Sequence, residues 1–163
     1  METYSKAVRT TIPKLTDDPV SPYRVWYNDY LLSIQGSKNV LDIGKSLMWD
    51  YSGLFDGYTS IDINQSTNPD IVGDIFSSGI PDETYDTVLC NGMYESSEGT
   101  IEKMVAEVYR ILKPKGRAVF GFIGDKHFQP DVLKYDGREV YGAFKKTKEV
   151  NMDGEYYFTI CKK

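Results

Sequence analysis

Short apolar runs alternate with polar stretches along this chain. The two clearest are Val40-Leu41-Asp42-Ile43-Gly44 and Ser60-Ile61-Asp62-Ile63-Asn64. A nearly continuous apolar run of this length is the signature of a strand buried on both faces, as in a parallel sheet. The pattern predicts strands over residues 39–43, 58–63, 70–73, 85–91 and 117–123. Ile101, Met104, Val105, Val108, Ile111 and Leu112 recur at helical spacing, with Glu102, Lys103, Glu107 and Arg110 on the opposite face. This predicts a helix over 100–112, which Pro114 and Gly116 terminate. Nearer the N-terminus, Val25, Trp26, Tyr30, Leu31 and Ile34 predict a helix over 22–35. Ser21 suits its N-cap, Pro22 its first position and Gly36 its end.

Weaker patterns complete the list of elements. A helix interrupted by Gly53 is expected over 45–55, and a short one over 138–145. Asp153-Gly154, between apolar-polar stretches at 147–152 and 155–162, is a two-residue hairpin signal. Strands alternating with helices imply a parallel sheet with right-handed crossovers. The expected fold class is therefore α/β, a three-layer sandwich on a mostly parallel sheet, closed by a C-terminal antiparallel hairpin. Residues 1–21 are polar and carry Pro13 and Pro19. They are read as an arm lying over a domain formed by 22–163.

Composition narrows the function classes. The chain has 163 residues, 40% of them apolar, enough for one domain with a sizeable core. Its formal charge is −5, and Lys145-Lys146-Thr147-Lys148 is the one basic run. That run reads as a solvated helix end, so a nucleic-acid partner is disfavoured. Cys90 and Cys161 fall inside strand-like runs and read as small core hydrophobes. Their spacing suggests neither a disulfide framework nor a metal site. No signal peptide or spanning apolar segment is visible, so a cytoplasmic protein without a membrane partner is expected.

The candidate chemistry lies at the strand ends. Open α/β sheets bind ligands beyond the carboxyl ends of their strands. Two consecutive strands ending in a carboxylate suggest a nucleoside cofactor, with Asp62 on the ribose hydroxyls. Gly44-Lys45-Ser46 does not complete a phosphate-binding P-loop, because residue 39 is Asn where that motif needs glycine.

Five segments in order carry a family resemblance: Val40-Leu41-Asp42-Ile43-Gly44, Ile61-Asp62, Gly73-Asp74-Ile75, Tyr85-Asp86-Thr87-Val88-Leu89-Cys90-Asn91, and Val108-Tyr109-Arg110-Ile111-Leu112-Lys113-Pro114-Lys115-Gly116. Over residues 22–163 the chain resembles a small class I S-adenosylmethionine-dependent methyltransferase, whose fold is Rossmann-like. The resemblance implies S-adenosyl-L-methionine as cofactor. It implies that Gly44 lets the backbone approach the methionine part, that Asp42 orients the cofactor's amino group and that Asp62 accepts from both ribose hydroxyls. Ile63 would pack on the adenine, Asp74 would accept from its exocyclic amine with Ile75 beside it, and Asn91 would face the transferring methyl or the methionine backbone. The family pattern Gly-x-Gly is broken here, because Ser46 replaces the second glycine. The loop can still turn if Ser46 avoids positive φ. Lys45 is a candidate partner for the cofactor carboxylate. Asn91-Gly92-Met93-Tyr94 is similar to the Asn-Pro-Pro-Tyr pattern of amino-methylating nucleic-acid enzymes but lacks both prolines.

The implied reaction is methyl transfer to a small molecule or to a sugar hydroxyl of a glycan. A hydroxyl acceptor needs its proton removed, and histidine titrates near neutral pH. His127, the one histidine, is the candidate base, with Asp125 and Glu95 as rivals. The arm and first helix, with Tyr4, Tyr23, Trp26 and Tyr27, or the partner of a homodimer, would cover the cleft. Two competing classes remain open: a non-catalytic binding or assembly module on the same fold, and a nicotinamide-dependent oxidoreductase.

Overall fold

A computed structural model of the chain describes residues 12–91, 101–123, 141–152 and 156–163. The first helix, α1, spans Pro22–Ser33. Pro22 occupies its first turn, and Ser21 Oγ accepts from the Arg24 N–H at 3.2 Å, satisfying one of the orphan donors of a helix start. The second helix, α2, spans Ile101–Ile111.

Seven strands form one sheet: β1 Lys38–Ile43, β2 Asp56–Asp62, β3 Ile71–Val72, β4 Tyr85–Asn91, β5 Leu112–Ile123, β6 Lys146–Met152 and β7 Tyr156–Lys162. Their order across the sheet is β3-β2-β1-β4-β5-β7-β6. The first five run parallel, and β7 lies antiparallel to both β5 and β6. This is the α/β, Rossmann-like arrangement with a closing antiparallel pair that the sequence predicts. The Asp153-Gly154 connection lies outside the described residues.

Alternating side chains send each central strand into two cores. Leu41, Ile43, Val88, Cys90, Ala118 and Phe120 pack toward α2, against Met104, Val105, Val108 and Ile111. Val40, Leu89, Val119 and Phe158 pack toward α1. Burying an aliphatic side chain of this size contributes roughly 1.5–3 kcal/mol. Both cysteines are free and buried, and burial pushes each thiol up to about 12.

Three expectations need correction. No helix follows β1 over 45–55. The Leu15 N–H donates to the Met48 carbonyl at 2.8 Å, and the Asp50 N–H to the Pro13 carbonyl at 3.0 Å. These bonds hold 48–50 extended against the arm, where Lys14 and Trp49 form an antiparallel bridge, and only Ser52–Leu54 makes a 3-10 turn. Ile12, Trp49 and Tyr51 are buried as a result. The buried face of α1 is also broader than expected: Leu31 is buried and Trp26, Tyr30 and Ile34 pack against the same core, as the spacing predicts, but the face extends further round the helix. The helix buries Tyr23, Tyr27, Asn28 and Leu31, because Tyr23, Trp26 and Tyr27 all stack on Phe158 with centroids 4.3–5.5 Å apart. Finally, residues 141–145 form a turn rather than the end of a helix over 138–145, while 138–140 lie outside the described residues.

Candidate active site

The site is built from the carboxyl ends of β1, β2 and β4. Val40 of β1 pairs with Tyr58 of β2. Asp42, two residues on, projects to the same face. The Tyr58 hydroxyl reaches it and donates to Oδ2 at 2.5 Å. Asp42 is 3% exposed. Burial lifts its carboxyl from the ordinary 3.8 to about 6, against the downward pull of the Tyr58 bond and the positive charges of Arg24 and Lys45; the charge of Asp62 adds to the rise. Burial and the Asp42 carboxylate together push the Tyr58 phenol far up, so it stays a donor.

After β1 the chain turns at Gly44, whose φ of +82° lies in the left-handed region that favours glycine. Its N–H donates to the Ile61 carbonyl at 2.9 Å, holding this loop against the end of β2. Lys45 Nζ donates to the Asn68 carbonyl at 2.7 Å and ties the loop after β1 to the loop after β2. Ser46 is not among the positive-φ residues. Its Oγ accepts from the Met48 and Trp49 N–H groups at 3.1 and 3.2 Å. The serine in place of the second glycine thus folds the loop with its own hydroxyl.

Asp62 ends β2, half-buried, and its Oδ1 accepts from the Asn64 N–H at 2.8 Å. Ile63 follows with half of its surface exposed, at 49%. Asn91 ends β4 and accepts from the Tyr23 hydroxyl of α1. It pairs with Gly121 of β5. A Cβ at residue 121 would strike the Asn91 side chain and approach Phe158 Cε1 to 2.9 Å, so that close approach requires glycine.

These groups surround one cavity of about 640 Å³, a size usual for small-molecule sites. Asp42, Gly44, Lys45, Asp62, Ile63 and Asn91 all line it. Asp74 and Ile75 do not. Asp74 is exposed, and its Oδ1 accepts from the Phe76 N–H at 2.9 Å as the cap of the 3-10 turn Ile75–Ser77. Ile75 is buried in the core beneath α2. Glu95, Asp125 and His127 lie outside the described residues. Among the described residues no cluster of His, Cys, Asp or Glu could hold a metal ion, and no helix is long and apolar enough to cross a membrane.

The sequence reading missed several lining residues. Arg24 and Tyr51 enter the cavity beside Tyr23 and Tyr27, and Leu47 and Met48 close it from the loop after β1. Residues 23, 24 and 27 share a helix face by their spacing. That spacing was legible, but nothing in it shows the face turning toward the strand ends.

The residues present fit a nucleoside carrying a charged amino-acid tail. Two carboxylates, a guanidinium, an exposed aliphatic side chain and several phenols share one hollow at the ligand-binding edge of a parallel sheet. A family model described as "Methyltransferase domain" matches residues 53–120. Among solved structures, the fold is similar to that of a SAM-dependent methyltransferase from Archaeoglobus fulgidus, with a TM-score of 0.61 and 15% identity over 85% of this chain and 91% of that one. The N-methyltransferase NodS from Bradyrhizobium japonicum, in complex with S-adenosyl-L-homocysteine, gives a TM-score of 0.60 and 16% identity over 99% and 96% of the two chains. The PH0226 protein from Pyrococcus horikoshii gives 0.63 and 18%, over 99% and 98%. No curated protein matches the chain. The match over residues 53–120 and the shared fold agree with the resemblance to class I S-adenosylmethionine-dependent methyltransferases.

Proposed function

We propose that this chain transfers a methyl group from S-adenosylmethionine to a hydroxyl of a small molecule or glycan. The observation that carries the reading is the convergence of Asp42, Asp62 and Asn91, from the tips of three neighbouring strands, on one cavity. When bound, the cofactor supplies an electrophilic methyl on a sulfonium. The chain's own task is then alignment and proton removal. Asp62 offers acceptors to paired hydroxyls. Asp42 offers a carboxylate to an ammonium, held in place by Tyr58. Asn91, fixed by Tyr23, sets the floor beside the reacting end. His127 is the proposed base for the acceptor hydroxyl, with Asp125 and Glu95 as alternatives. The acidic chain and the size of the cavity favour a small or chain-end acceptor over nucleic acid.

Incubation with methyl-labelled cofactor and a panel of hydroxylated small molecules and oligosaccharides tests this. The expected result is label in a hydroxylated product together with release of S-adenosylhomocysteine. Label appearing only in amine acceptors, the chemistry that the NodS name records for that protein, would replace the hydroxyl assignment. Cofactor binding without transfer to any acceptor would favour the non-catalytic module.

A further inference from the structure

The loop after β1 carries one wall of the cavity, through Ser46, Leu47, Met48 and Tyr51. No helix holds that wall. An α-helix pairs its own backbone groups, whereas an extended segment must find partners elsewhere. Within the loop, Ser46 Oγ accepts from the Met48 and Trp49 N–H groups. From α1, Asn28 Oδ1 accepts from the Tyr51 hydroxyl at 2.6 Å. Further partners come from the arm. The Met48 carbonyl accepts from the Leu15 N–H, the Asp50 N–H donates to the Pro13 carbonyl, and Lys14 stands opposite Trp49 in an antiparallel bridge.

Side chains join the same two segments. Ile12 is fully buried in one cluster with Trp49 and Tyr51. A short extended segment stays docked only when it is tied down, and Ile12 is the tie here. Yet none of residues 12–18 lines the cavity. They brace its wall from behind rather than cover the cleft, the place expected of the arm from sequence. Docking of the arm and filling of the cavity therefore share residues 48–51. A ligand that packs on Met48 or Tyr51 favours the loop conformation that the arm holds, and coupling between two such events is reciprocal.

We propose that residues 12–15 position the cofactor-binding wall, so that arm docking and cofactor binding strengthen one another through residues 48–51. The proposal rests on the S-adenosylmethionine reading above. Ile12 and Leu15 are positioning residues, acting through Met48, Trp49 and Tyr51 rather than on the ligand.

Trypsin cleavage of the Lys14–Leu15 bond, followed by mass spectrometry with and without saturating S-adenosylhomocysteine, reads arm docking, because Lys14 must leave its bridge to Trp49 before the protease can bind it. Calorimetry with the same ligand reads the cavity. In wild type the ligand is expected to slow this cleavage by at least about fivefold, the lower end of ordinary coupling, and the product beginning at Leu15 is expected to accumulate before the rest is cut. Leu15→Pro deletes the N–H that donates to Met48, at a side chain 56% exposed, and keeps Lys14 extended. It is expected to weaken S-adenosylhomocysteine binding by about threefold or more, the contribution of one net hydrogen bond. Leu15→Ala retains the N–H and is expected to match wild type in both measurements. Cleavage at Lys14 that ignores bound ligand, cleavage of arm and sheet at one common rate, or full affinity in folded Leu15→Pro overturns the proposal and leaves the cofactor reading standing. Should Leu15→Pro fail to fold, the wild-type cleavage experiment decides alone. A wild-type chain that binds no ligand overturns both.

Discussion

The Tyr58 hydroxyl and the Asp42 carboxylate form a 2.5 Å hydrogen bond across two neighbouring parallel strands, inside the cavity wall. The bond keeps a buried acid oriented, but it does not cancel the cost of burial. Asp42 titrates at about 6 in the folded chain against an ordinary 3.8. The folded state therefore holds this proton more tightly than the unfolded state does. Stability from this group is fully present below about pH 4 and is lost as pH rises through about 6. A shift of this size corresponds to roughly 3 kcal/mol at most. Asp42→Asn removes the titration while leaving an acceptor for Tyr58. Denaturant unfolding of the ligand-free chains at pH 4 and pH 7.5 checks this. The stability of wild type relative to Asp42→Asn is expected to fall between the two pH values, and an unchanged difference would place Asp42 outside the titrating groups.

Gly121→Ala tests the packing behind Asn91. The added methyl meets the Asn91 side chain, which Tyr23 anchors, and Phe158, which is fully buried. Neither can move away freely. Overpacking of this kind costs about 1–3 kcal/mol. A lower urea midpoint with weaker S-adenosylhomocysteine binding is expected. A variant as stable as wild type would show that Asn91 and Phe158 relax.

How far the sequence could be read depended on whether an element is held by local or distant partners. β1, β2 and β4 were legible because buried parallel strands leave continuous apolar runs, and β4 runs over Tyr85–Asn91 as expected. The segment 45–55 was not. Trp49, Tyr51, Leu54 and Phe55 suit a helix or an extended chain, and the choice is made by hydrogen bonds to Pro13 and Leu15, more than thirty residues away. Asp42 and Asp62 could be placed at a common edge because consecutive parallel strands end together. Asp74 followed the same logic, and its Oδ1 accepts from the Phe76 N–H much as Asp62 Oδ1 accepts from the Asn64 N–H, but it stands outside the lining of the cavity. Arg24 escaped notice because a charged residue on an amphipathic helix reads as its solvent face. Only the packing of α1 over the strand tips shows otherwise.

His127→Ala addresses the base assignment made from sequence. Turnover on a hydroxyl acceptor is expected to drop by about 10²–10⁴-fold, the usual contribution of general base catalysis, with cofactor affinity unchanged. A methyl-transfer assay paired with calorimetry separates the two effects. Wild-type turnover in the variant would pass the role to Asp125 or Glu95.

Titration of S-adenosylhomocysteine into the wild-type chain and into Asp62→Ala addresses the cavity itself. One saturable site is expected in wild type, weakened at least about tenfold in the variant by loss of roughly 1.5–3 kcal/mol of hydrogen bonding to a charged group. No heat of binding up to millimolar ligand, or full affinity in a folded Asp62→Ala chain, would contradict the account.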